Sequence, residues 1–192
     1  QAIPVGIEGK DIVGIAQTGT GKPLAFGIPM IQHLARGDAQ GLVVLPTREL
    51  ALQVDEVLRK VGASVGIKTA VLIGGASMLP QVQALGRKPH IIVATPGRLL
   101  DHLEHRNVRL DRVRILVLDE ADRMLDMGFQ PQIQKIFHAL PRERQTMLFS
   151  ATMPPEIMKM AATHMKLPVR VEIAPTGTTS ERVTQELFIV PN

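Results

Sequence analysis

Seven short apolar runs, rich in Val, Ile and Leu, punctuate this chain: DIVGIA (11–16), GLVVL (41–45), KTAVLI (68–73), HIIVAT (90–95), RILVLD (114–119), TMLFSA (146–151) and VRVEI (169–173). Most are continuous rather than alternating, which suits strands buried on both faces of a parallel sheet. Between them lie amphipathic stretches that predict helices over Lys22–Ala35, Glu49–Ala63, Leu79–Leu85, Pro96–His105, Pro131–Leu140 and Pro154–Met165. Thr95 stands as a helix cap before Pro96, and Pro154–Pro155 opens the last of these helices. Repeated strand–helix units imply an α/β fold, a mostly parallel central sheet with right-handed crossovers and helices on both faces.

At 192 residues the chain suits one well-filled domain. Its last part shifts in composition: APTGTTSERV (174–183) reads as a polar connector, and TQELFIVP begins another strand-like piece. The expected division is therefore a domain over 1–173 and, over 174–192, a connector with the start of a second domain. The opening QAIPVGIEGKD enters mid-element, so the chain reads as an excised domain.

No apolar run approaches the ~18 residues of a membrane span, and no charged-then-apolar leader opens the chain. Cysteine is absent, which removes disulfides and thiolate metal sites and fits a cytoplasmic setting. The net charge of +4 leans mildly towards polyanions. There is no Trp or Tyr and there are five Phe, so base stacking has few platforms here. A nucleic-acid partner would be held through its phosphate backbone.

In open parallel sheets ligands sit at the carboxyl ends of the strands. The residues just after the apolar runs are AQTGTGK, PTREL, GG, TPGR, DEAD and SAT. AQTGTGK (16–22) follows an expected strand and opens an expected helix, the context of a phosphate-binding loop. Ala16, Gln17, Thr18, Gly19, Thr20 and Gly21 would turn N–H groups towards phosphates, and Lys22 would contact the outer phosphates. Two letters depart from the strict pattern. Ala16 stands where the first glycine belongs. Pro23 stands where a Ser or Thr hydroxyl would help hold Mg²⁺, and it lacks an N–H. Asp119 and Glu120 end the strand RILVLD, in the place of metal-holding and water-handling carboxylates.

Taken in order, AQTGTGK, PTREL (46–50), GG (74–75), TPGR (95–98), DEAD (119–122) and SAT (150–152) resemble the first RecA-like domain of the DEAD-box ATP-dependent RNA helicases. MLDMGF (124–129) and LFSATMP (148–154) extend the likeness over nearly the whole chain, with a bacterial character in DEADRMLDMGF. The resemblance implies ATP and Mg²⁺ as cofactors, with Ala16–Pro23 around the nucleotide. Asp119 would hold Mg²⁺ through water, and Glu120 would orient or deprotonate the attacking water. It implies RNA contact, independent of sequence, at Pro46, Thr47, Arg48, Gly74, Gly75, Thr95, Pro96, Gly97 and Arg98. Arg48 and Arg98 would grip phosphates, Gly74 and Gly75 would let the backbone approach, and Thr95 with the following helix would add hydroxyl and N–H donors. Ser150 and Thr152 would tie Asp122 to the RNA-facing side.

In the family a glutamine upstream of the phosphate loop reads adenine. Aligning on Ile3 and Pro4 places it before residue 1, so Gln1 is not its counterpart. The arginine-rich motif of the second RecA-like domain has no match here, so that domain is an expected partner and this chain alone is expected to be monomeric with negligible turnover. Half of a non-unwinding ATP-dependent RNA clamp and a P-loop ATPase acting on DNA remain open alternatives. Pro23 is expected to impair the phosphate site without harming the fold, and to bias Lys22 away from helical dihedrals. His102 and His105 read as a surface pair, and the nine methionines as core filling.

Overall fold

The computed structural model describes residues 2–16, 21–35 and 37–172. All seven expected strands form: β1 (Ile12–Ile15), β2 (Gln40–Val44), β3 (Thr69–Leu72), β4 (Ile91–Ala94), β5 (Val113–Leu118), β6 (Gln145–Ser150) and β7 (Val169–Glu172). They make one sheet in the order β3-β4-β2-β5-β6-β1-β7, with every pairing parallel. The connecting helices are α1 (Ala2–Ile7), α2 (Lys22–Leu34), α3 (Arg48–Gly62), α4 (Met78–Gly86), α5 (Pro96–Glu104), α6 (Ala121–Asp126), α7 (Gln130–Ala139) and α8 (Pro155–His164). Residues 173–192, which include the expected connector, lie outside the described residues.

The continuous apolar runs explain the layering. Successive strand residues face opposite sides, so Leu42, Val44, Leu116 and Leu118 join α5–α8 in one core, while Val43, Leu45, Ile115 and Val117 join α1–α3 in the other. Covering both faces buries all of β1, β4 and β6 and most of β2 and β5, at roughly 25 cal/mol per Å² of apolar area removed from water. Gly14 in β1 is required by close approach: a Cβ there would collide with the Phe149 ring of β6. That ring in turn meets Phe26 of α2 at 5.6 Å between centroids.

Two helices escaped the sequence pattern. AIPVGI contains Pro and Gly, which local propensity counts against a helix, yet it forms α1. The reason is tertiary: Gly6 lies directly against the Pro29 ring of α2, where a side chain would not fit. The other, α6, begins inside the acidic motif itself, after Glu120 turns the chain.

Candidate functional site

The carboxyl edge of the sheet divides into two halves. Strands β5, β6 and β1 stand side by side and are followed by DEAD, SAT and AQTGTGK; β3, β4 and β2 stand side by side and are followed by GG, TPGR and PTREL. The β2–β5 pairing joins the halves.

In the first half, the Ala16 N–H donates to the Ser150 carbonyl at 3.1 Å, locking the end of β1 to β6. Gln17, Thr18, Gly19 and Thr20 lie outside the described residues. Gly21 takes φ 75° as the cap of α2, and its carbonyl accepts the N–H groups of Leu24 and Ala25. Lys22 is the first residue of that helix, which corrects the expectation that the following proline would hold it out of helical geometry. Pro23 sits in the first turn, where an N–H has no intrahelical partner in any case. Helix α2 runs on with this proline in place, and no hydroxyl stands there.

Lys22 and Asp119 are each 4% exposed, and Lys22 Nζ lies 3.1 Å from Asp119 Oδ1. Burial pushes the Asp119 carboxyl above its ordinary range, against the pull of the Lys22 ammonium. The same Oδ1 accepts the Glu120 N–H at 2.9 Å. Glu120 adopts φ 54°, ψ 50°, a left-handed conformation that a non-glycine residue occupies at a cost of about 1–3 kcal/mol. This turn lets adjacent carboxylates face different partners: Asp119 meets Lys22, and Glu120 Oε2 accepts from Arg123 at 3.1 Å. Lys22, Glu120, Asp122, Arg123, Asp126 and Ala151 line a cavity of about 230 Å³.

Asp122 links this half to β6. Its Oδ2 accepts from both the N–H and the hydroxyl of Thr152, each at 2.9 Å, and its own N–H donates to Ser150 Oγ at 3.2 Å. Burial opposes ionisation of Asp122, but the Thr152 bonds, the Arg123 N–H and Ser150 together hold its carboxyl below the usual range.

In the second half, Pro46 is buried, and Thr47 caps α3 by accepting the Leu50 N–H at 3.3 Å. Arg48 is exposed at the helix start. Gly75 has φ 66°, and its missing side chain leaves the place that the Arg48 guanidinium fills; Gly74 opens onto free space. Thr95 is 8% exposed. It occupies the cap of α5 but makes no side-chain cap bond, and its N–H is committed to the Leu72 carbonyl at 3.0 Å. The first intrahelical bond of α5 runs from Leu99 N–H to Thr95 O. After buried Pro96, the N–H groups this turn has to offer are therefore those of Gly97 and Arg98. The Arg98 side chain is 11% exposed; it donates to the Ala76 carbonyl at 3.1 Å and lies 3.6 Å from Asp101. Arg98 braces the loop after β3, and Arg48 is the open guanidinium.

The histidine expectation needs correction. His105 is exposed, but His102 is fully buried and contacts Gln81. The methionines divide as well: Met30, Met124, Met147, Met160 and Met165 are core, whereas Met127 and Met158 are about half exposed. Arg123 and Gln81 were missed as site neighbours, since no motif spacing marks them. Among the described residues no group of three or more His, Cys, Asp and Glu is placed to hold a metal.

Comparison with known proteins decides the family. Residues 1–160 match the family model described as DEAD/DEAH box helicase. The chain belongs to the DEAD/DEAH box helicase family. It is 47% identical over 193 residues to the "ATP-dependent rRNA helicase RRP3" of Debaryomyces hansenii, covering 99% of this chain and 40% of that protein. It is 45% identical over 194 residues to the "ATP-dependent RNA helicase DDX47" of Drosophila melanogaster, covering 100% of this chain and 38% of that one. Among solved structures, a hypothetical ATP-dependent RNA helicase from Sulfolobus tokodaii matches with TM-score 0.84 and 37% identity over 90% of this chain and 50% of that chain. A DEAD box protein from Methanococcus jannaschii matches at TM-score 0.83, with 36% identity over 89% and 47% of the two chains. The fold is thus the RecA-like α/β domain of these helicases, and the DEAD-box chain spans about 40% of the length of the curated relatives it matches. No helix among the described residues is long and apolar enough to cross a membrane.

Proposed function

We propose that this chain is the N-terminal, ATP-binding RecA-like domain of an ATP-dependent RNA helicase, which couples ATP hydrolysis to local opening of RNA duplexes or remodelling of RNA–protein complexes. The observation that carries the reading is the division of one sheet edge. The buried Lys22–Asp119 pair lies on the β5–β6–β1 half, Arg48 on Gly75 lies on the other, and Asp122 bonds to Thr152 beside the first.

The residues fit a nucleotide triphosphate better than they fit its metal. Gly21, Lys22 and the 13-residue helix α2 offer N–H groups, partial positive charge and an ammonium to phosphate oxygens. For Mg²⁺ the carboxylates of Asp119 and Glu120 are adjacent, but position 23 supplies no hydroxyl. When bound, Mg²⁺ would neutralise phosphate charge, and Asp119 would hold it through water, since Mg²⁺ dehydrates reluctantly. Lys22 would exchange Asp119 for phosphate oxygens, and Glu120 would orient or deprotonate the attacking water. Arg48 and the N–H groups of Gly97 and Arg98 would hold RNA phosphates without reading bases. Asp122, with Ser150 and Thr152, would couple the halves.

The partner completing the site is a second RecA-like domain, whose arginines would stabilise the charge of phosphoryl transfer. This chain alone is expected to bind nucleotide and RNA weakly, to turn over negligibly and to be monomeric. The absence of cysteine suits a reducing compartment such as the cytoplasm.

The test joins this chain to its second domain and measures ATP hydrolysis and strand separation on blunt RNA, tailed RNA and DNA duplexes. RNA-stimulated hydrolysis with RNA opening is expected. RNA-stimulated hydrolysis without strand separation would make it an RNA clamp. Efficient DNA opening without RNA-stimulated hydrolysis would sink the proposal.

A further inference from the structure

The loop between β3 and α4 carries both features that place the arginines of the proposed RNA-facing edge. Gly75 receives the Arg48 guanidinium, and the Ala76 carbonyl receives Arg98. Residues 75–77 are exposed, so little core packing fixes them. Beside those two arginine contacts, one amide ties down the loop's ends. Gln81 Oε1 accepts the Ile73 N–H at 3.1 Å, while Gln81 Nε2 donates to the Ile73 carbonyl at 3.1 Å and the Ser77 carbonyl at 3.0 Å. Ile73 is thereby paired as though a further strand ran beside it, and the two ends of the loop are clipped together.

A second residue completes the amide. His102 Nε2 lies 3.2 Å from Gln81 Oε1. Turning the Gln81 amide over would aim its NH₂ at the Ile73 N–H and its oxygen at two carbonyls, so its orientation is determined. The imidazole must therefore donate from Nε2, leaving Nδ1 to accept from Asn107 Nδ2 at 3.4 Å. Burial, followed by the nearby Arg98 charge, lowers the His102 pKa and favours this neutral form. Gln81 then uses both lone pairs and both N–H groups. It is also the one buried residue of α4, so this amide joins the packing of half-buried Leu85 against the core in docking the helix. On α5, Arg98 and His102 lie one turn apart. The first reaches the loop directly and the second reaches it through Gln81.

We infer that Gln81 and His102 are positioning residues for the polyanion-gripping edge: together they set the Ile73–Ser77 loop that spaces Arg48 and Arg98. The inference rests on the RNA reading above. Neither side chain touches the polyanion. Losing the pair loosens the spacing of the phosphate-binding groups and leaves the nucleotide half of the edge untouched.

The test compares Gln81→Leu, His102→Leu and His102→Gln with the unaltered chain. The glutamine variant retains a donor near the position of Nε2. Hydrogen exchange at the Ile73 amide reads the clip, anisotropy of a fluorescein-labelled single-stranded RNA across a salt series reads the grip, and Mg-ADP affinity reads the other half. Both leucine variants should speed Ile73 exchange at least tenfold and weaken RNA binding about tenfold. Their slope of log K against log salt should shrink by about 0.7 for each RNA phosphate that is no longer neutralised. Mg-ADP affinity should stay within twofold, and His102→Gln should stay near wild type in all three. If Gln81→Leu fails to fold, the two His102 variants decide. Unchanged Ile73 exchange, an unchanged salt slope, or equal losses of RNA and Mg-ADP binding would each overturn the inference. If the unaltered chain shows no salt-dependent RNA binding, the RNA reading falls and with it the gripping role. Ile73 exchange then still separates that failure from failure of the clip itself.

Discussion

Replacing Lys22 by methionine should expose how much the buried Lys22–Asp119 ion pair costs and contributes. Lys22 Nζ and Asp119 Oδ1 are 3.1 Å apart, with side chains 5% and 6% exposed. At an effective dielectric of ~20 the attraction at that distance is about 5 kcal/mol. Part of it offsets the desolvation of both ions. Removing one partner strands the other, so Lys22→Met should destabilise the chain by about 3–5 kcal/mol at pH 8. Adding Asp119→Asn should restore much of the loss, because the unpaired buried charge is then removed. The pH dependence has a definite sign. Burial already raises the Asp119 carboxyl, and Lys22 is the group that opposes the rise. Without Lys22 its folded pKa climbs further above the unfolded value near 3.9, so the penalty is full above the folded pKa and fades as pH falls through it. The Lys22→Met deficit should therefore shrink between pH 8 and pH 5. With no Trp or Tyr in the chain, urea unfolding is best followed by far-ultraviolet circular dichroism. A pH-independent deficit below about 1 kcal/mol, the range of an exposed pair, would refute the reasoning.

Three further outcomes are expected. Pro23→Thr restores a hydroxyl and an N–H at the phosphate loop, so calorimetric titration should show tighter Mg-ADP binding with Mg²⁺ present; equal affinity with and without Mg²⁺ in both proteins would show that the proline does no harm. Asp122 is held low by the bonds from Thr152, so its contribution to stability is present above about pH 4 and lost as pH falls through its folded pKa. The stability gap between wild type and Asp122→Asn should then narrow in acid, and a gap constant from pH 6 to pH 2.5 would contradict this. Gly75→Ala places a side chain at φ 66° and against the Arg48 guanidinium; it should cost about 1–2 kcal/mol in unfolding free energy and weaken RNA binding, and an unchanged denaturation midpoint would count against the strained turn.

The sheet was legible because continuous apolar runs such as GLVVL and RILVLD can be buried on both faces, and the candidate site was legible as a set of motifs that follow such strands, the edge where ligands gather in open parallel sheets. What local pattern could not carry was tertiary. Helix α1 exists because Gly6 fits Pro29, a contact 23 residues away in the chain. The left-handed Glu120 is a backbone choice that the letters DEAD do not announce. Burial of His102 follows from a glutamine 21 residues earlier, so neither residue signals the other. Arg98 shows the same limit: its motif marks it for phosphate contact, while its neighbours commit it to the Ala76 carbonyl. Pro23 was legible as a departure, and the helix forms around it because first-turn N–H groups have no intrahelical partner.

The most direct test of the central claim is a two-dimensional amide NMR titration of this chain with Mg-ADP and, separately, with a single-stranded RNA. The division of the carboxyl edge requires Mg-ADP to move the amides of Gly21, Lys22, Leu24, Asp119 and Glu120. It requires RNA to move those of Arg48, Gly74, Gly75, Gly97 and Arg98. RNA shifts confined to other faces of the sheet, or nucleotide shifts absent from Gly21 and Lys22, would contradict it.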